Sequence, residues 1–116
     1  MESKIDRSGW VFEFSKITFF ISTFLPIYNE NHSRFTFGVK ECFILLQPEV
    51  SFLAKNLTPD TPQTNWTNPI TVRDKIRVAF KNSNKQYLIR NTVHYPMAHD
   101  MIKPIDNNEL VIKWWQ

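Results

Sequence analysis

The stretch GWVFEFS alternates so that Trp10, Phe12 and Phe14 fall on one side and Glu13 and Ser15 on the other. That two-residue period predicts a half-buried strand. The next run, KITFFISTFL, is β-branched and aromatic on both sides, which predicts a more central strand, with Ser15 and Lys16 at the reversal between the two. Pro26 ends it, YNENHSRFT reads as loop, and ECFILLQ reads as a third, buried strand that Pro48 interrupts. Residues 56–69, NLTPDTPQTNWTNP, hold three of the seven prolines and show no period, so they read as a loop or lid.

The period then changes. Val72, Ile76, Ala79 and Phe80 recur at helical spacing, Thr71 stands where an N-cap belongs, and Asp74 follows three residues later. This is a capping-box pattern with Asp in place of Glu, and it predicts a helix over 71–81 whose apolar face packs on the sheet. QYLIRNTV and NELVIKWW read as further strands. Strands, a helix and strands again give an α+β fold: a single domain over 1–116, with a mainly antiparallel sheet and one or two short helices.

Composition adds that the chain can build a core. Of 116 residues, 42% are hydrophobic and 15% aromatic, with ten Phe and four Trp. Its formal net charge is +3, and its basic residues are spread from Lys4 to Lys113. Without a basic cluster the pattern does not predict a nucleic-acid footprint, and Arg73, Arg77 and Lys81, four residues apart, read as a solvated helix face. The apolar runs are too short to span a membrane. One cysteine and an apolar-poor start, MESKIDRSGW, point to the cytoplasm, so the Asn-x-Ser/Thr sequons at Asn31, Asn56 and Asn65 read as compositional.

Candidate chemistry is sparse. Two glycines exclude a Gly-rich phosphate loop, and one cysteine excludes a Cys-rich zinc site. Cys42 opens an apolar strand and reads as a buried small hydrophobe, while His94 and His99 read as exposed loop residues. His32 and Arg34 stand two residues apart just before the third strand. An imidazole there could ligate heme iron, with the Arg fork pairing a propionate or a substrate carboxylate. Equally, both could be solvated, or could hold the loop against the sheet through hydrogen bonds.

YNENHSR followed by CFILLQPEVSF, and preceded by WVFEFSKITFFIST, resembles the YqcI/YcgG family of bacterial proteins. The resemblance runs from Trp10 to the terminal KWW and rests on an ordered set that includes Tyr28, His32, Arg34, Gln47 and Arg77. It implies a protein related to heme-dependent N-hydroxylases that act on a guanidino or amino substrate. Tyr28, His32, Arg34 and Gln47 would then be the cofactor-binding residues and His32 the iron ligand. The alternative is a noncatalytic ligand-binding or assembly module. Family members commonly carry Pro where this chain has Ser33, and they have an upstream part with a Phe-Pro-Cys segment. The chain therefore reads as the C-terminal part of such a protein, with an upstream half-protein or a homo-oligomer as partner.

Overall fold

A computed structural model describes residues 4–55, 61–89, 96–106 and 108–116. A 3-10 turn at Lys4–Asp6 precedes β1 (Phe12–Phe14), β2 (Ile17–Phe24) and β3 (Phe43–Pro48), which form an antiparallel sheet in the order β1-β2-β3. Three helices follow: α1 (Val50–Ala54), α2 (Val72–Asn82) and α3 (Ala98–Met101). The fold is a small α+β domain.

The hairpin between β1 and β2 turns on Ser15 and Lys16, both at positive φ (51° and 63°), and Phe14 pairs with Ile17 to close it. Two successive left-handed residues match the twist of the flanking strands, which is why Asn-Gly normally occupies such loops. Here two side-chain-bearing residues take the strained conformation. β2 is central, as its two-sided apolar pattern predicts.

β3 departs from expectation. Phe43, Ile44, Leu45 and Leu46 are 48%, 66%, 49% and 55% exposed, because among the described residues β3 is an edge strand paired with β2 alone. Cys42, just before this edge strand, is likewise exposed rather than buried. The chain as a whole exposes 8508 Å², against about 6,600 Å² for a folded monomer of its mass. Among the described residues the buried apolar side chains are Tyr28, Ala98 and Met101, with Pro96 and Pro104 beside them.

Helix α2 starts where predicted. The Thr71 hydroxyl accepts from the Asp74 N–H at 3.0 Å, and the Asp74 carboxylate accepts from the Thr71 N–H at 3.4 Å. Its packing is not as predicted: Asp74 and Arg77 are buried, whereas Val72 and Ile76 are half exposed. Arg77, expected on a solvated face, donates through Nη1 to the Gln63 carbonyl (3.0 Å) and the Thr64 hydroxyl (2.9 Å), tying residues 61–65 to the helix. Those residues and their neighbours to 70 are irregular, as their prolines predict.

Helices α1 and α3 were not anticipated, since Pro48 read as an interruption and the chain around Pro96 as a loop carrying His94 and His99. Each proline instead stands just ahead of a helix that starts within two residues. The strand expected at NELVIKWW is absent: residues 108–116 are irregular, and the Trp114 indole N–H donates to the Ala98 carbonyl at 3.0 Å. A tail held to α3 by an indole has no need of a ladder. Residues 86–89 are likewise not strand, and the rest of QYLIRNTV lies outside the described residues.

Candidate functional site

The segment 25–39 folds as consecutive turns, with N–H to C=O bonds from Tyr28 to Leu25, His32 to Asn29 and Phe35 to His32. These turns carry Tyr28, His32 and Arg34 inward, where they are 3%, 2% and 8% exposed. The reason lies on the other side of the contact. A helix as short as α3 leaves its terminal carbonyls without intrahelical partners, and the irregular chain after it has no ladder to supply them. Side chains of the loop do so instead.

Arg34 Nη2 donates to the Asp100 carbonyl (2.7 Å), and its Nη1 to the carbonyls of Met101 (3.2 Å) and Thr23 (3.3 Å). The Tyr28 hydroxyl donates to the Lys103 carbonyl at 2.6 Å, and the Thr23 hydroxyl to that of Met101 at 2.6 Å. His32 completes the clamp. Its Nδ1 accepts from the Arg34 backbone N–H at 3.0 Å, so the proton is on Nε2, which donates to the Pro104 carbonyl at 3.0 Å. Burial lowers the His32 pKa, the charges of Lys103 and Arg34 lower it further, and only the bond to Pro104 acts the other way. Burial likewise raises Tyr28, against the opposing effects of Arg34 and of the Lys103 bond. The imidazole is neutral and both its nitrogens are engaged within the chain.

Beside this clamp lies a cavity of about 490 Å³, within the ~300–1,000 Å³ usual for small-molecule and cofactor sites. Phe20, Ser22 and Phe24 of β2 form one wall, and Arg73, Ile76, Arg77 and Phe80 of α2 face them. Phe52, Tyr87 and Leu88 add apolar surface; Arg34, Asp100 and Lys103 close the side next to the clamp. The apolar stripe of α2 therefore borders a void, which explains why Ile76 is half exposed. Phe20 meets Phe52 edge to face at 6.0 Å, and Phe80 meets Tyr87 at 5.0 Å. Among the described residues, four cationic side chains share the lining with one carboxylate, Asp100, whose Oδ1 is 3.8 Å from Lys103 Nζ.

Of the predicted site residues, the structure brings Tyr28, His32 and Arg34 together and leaves Gln47 apart. Gln47 pairs with Phe20 across the sheet and donates to the Ser51 hydroxyl at 3.1 Å. Arg34 alone of the four lines the cavity. His99 is in α3 rather than a loop, its ring parallel to Trp115 and its Nε2 4.0 Å from Asp6 Oδ1; His94 lies outside the described residues. The contributions of Arg73 and Phe80 were missed, although their spacing placed them on one helix.

Set against family models, curated proteins and solved structures, the chain has no match. No helix among the described residues is long and apolar enough to cross a membrane.

Proposed function

We propose that this domain is a ligand-binding unit, and that its ligand sits in the cavity between β2 and α2. The observation that carries the reading is the cavity itself: two elements of a small domain stand apart, with aromatic rings and four cationic side chains facing the space between them. Heme is the cofactor that the YqcI/YcgG resemblance implies, and the lining suits part of it. Phe20, Phe24 and Phe80 offer flat apolar surface to a macrocycle, and Arg73 or Lys103 can pair with its carboxylates. Iron ligation by His32 does not fit, since neither ring nitrogen is available. Bound heme would supply the oxygen chemistry of an N-hydroxylase acting on a guanidino or amino substrate; the role of this chain's residues is to hold the ligand and shape the wall at 100–103.

The engaged His32 favours a second reading, a noncatalytic ligand-binding or assembly module. The exposed apolar strand β3 supports a further polypeptide, an upstream half or a second copy, covering the sheet. The lone cysteine supports a cytoplasmic setting. The test is an absorbance titration with hemin of wild type and Ile76→Trp, which fills the cavity from a half-exposed position. A saturable Soret band that Ile76→Trp abolishes is expected. A band that both proteins develop equally would move the ligand elsewhere.

A further inference from the structure

The backbone of β3 has a free edge whose groups can be named from its pairing with β2. The Glu49 N–H donates to the Thr18 carbonyl at 2.9 Å, one step beyond the Phe19–Pro48 pair. Antiparallel ladders alternate, so the backbone groups of Phe43, Leu45 and Gln47 point toward β2, and those of Ile44, Leu46 and Pro48 point away from it. Pro48 fits this position, because its missing N–H leaves no gap in the ladder with β2. Among the described residues no backbone bond reaches the outward groups of Ile44 and Leu46. Edge strands are ordinarily blunted by charges, a bulge or a cover. Phe43 to Leu46 carry no charge, keep an unbroken register with β2 and are exposed on both faces.

We infer that a second copy of this chain covers β3, the two strands pairing antiparallel about a two-fold axis at Ile44. This deepens the reading of β3 as an assembly surface and does not depend on a ligand in the cavity. A two-fold axis normal to the sheet keeps each face on its own side, so some residue must stand opposite its own copy. With Ile44 in that place, its outward N–H and C=O meet those of the second Ile44, and Phe43 lies opposite Leu45. Pro48 then falls outside the paired strands. With Leu45 there instead, Pro48 would enter the new ladder without a donor, and Glu41 would face Glu49, like charge against like. With Leu46 there, Ile44 would meet Pro48. The surface is large enough: the chain's 8508 Å² exceeds the ~6,600 Å² of a folded monomer of its mass by more than the ~800 Å² each partner of a stable pair buries.

The experiment measures the mass of wild type and Ile44→Lys by sedimentation across a concentration series, with circular dichroism to verify each fold. Ile44 is 66% exposed, so the substitution spares the monomer while setting two ammonium groups opposite each other at the axis. Wild type is expected to be a dimer that dissociates on dilution, and Ile44→Lys a monomer throughout. The register is read separately, by oxidising Ile44→Cys and Leu45→Cys, each in a Cys42→Ser background. Ile44→Cys should crosslink between copies much faster than Leu45→Cys, whose neighbour across the axis is Phe43. A monomeric wild type, a dimer unchanged by Ile44→Lys, or faster crosslinking at Leu45 overturns the inference. Hemin binding reads the cavity, whose lining excludes Ile44. A monomeric wild type that still binds hemin therefore overturns the dimer alone, and a dimer that binds none overturns the heme reading alone.

Discussion

The rings of Tyr28 and His32 lie face to face, their centroids 3.9 Å apart and their planes 3° from parallel. The stack joins two side chains that each hold a different carbonyl, Lys103 for the phenol and Pro104 for the imidazole. Replacing His32 by Ala removes the stack and leaves the Arg34 N–H and the Pro104 carbonyl buried without partners. The expected cost is about 2–4 kcal/mol in urea unfolding. Tyr28→Phe keeps the stack and loses only the hydroxyl bond, for about 1 kcal/mol. Equal losses in the two variants would contradict this division of roles.

Acid should open the same clamp. The folded pKa of His32 is held below its ordinary 6.5, first by burial and then by Lys103 and Arg34. Between the folded and unfolded values the unfolded chain binds more protons, so the stabilisation from His32 is complete above pH 6.5 and is lost as the pH falls through the folded pKa. Unfolding curves recorded from neutral to mildly acid pH should show stability falling, and His32→Gln should flatten that part of the profile.

At the start of α2, Thr71→Ala removes the hydroxyl that accepts from the Asp74 N–H. The expected cost is about 1 kcal/mol, read as a shift of the thermal midpoint. Asp74 resists substitution for a further reason. Burial would raise its pKa, yet hydrogen bonds from the Asn65 N–H and from Thr71 bring it below the usual value, so the carboxylate holds both the cap and the 61–65 chain.

The β1-β2 turn offers a gain. Lys16 adopts φ 63°, a conformation without penalty for glycine. Lys16→Gly should therefore stabilise the domain by about 1 kcal/mol, measured by chemical denaturation. A neutral or negative result would mean that the Lys16 side chain contributes contacts outweighing the strain.

What the sequence made legible was local. Thr71 and Asp74 cap a helix through atoms three residues apart, and Ser15-Lys16 reverses a chain between adjacent strands; both are settled by neighbours along the chain. The failures are non-local. FILL reads as buried because every position is apolar, but burial depends on what lies beyond the edge of β3, which no residue in that run encodes. Arg77 reads as solvated because charged residues usually are, and only the return of Gln63 and Thr64 onto α2 gives its fork acceptors to fill. For His32 the sequence left two readings side by side, iron ligand or loop tether. The carbonyls it answers belong to Pro104 and, through Arg34, to α3, some seventy residues away and in a stretch whose own helix was not foreseen.

So small a set of buried apolar side chains among the described residues has a calorimetric consequence. The heat capacity gained on unfolding follows the apolar surface newly exposed to water, and a domain of this length ordinarily gives about 1.4–1.7 kcal/mol/K. Here Phe43 to Leu46, Val50, Leu53 and Leu110 are already about half exposed or more before unfolding begins. Scanning calorimetry of this chain alone should give a value below that range and a flat stability curve, with little difference between its behaviour in the cold and at body temperature.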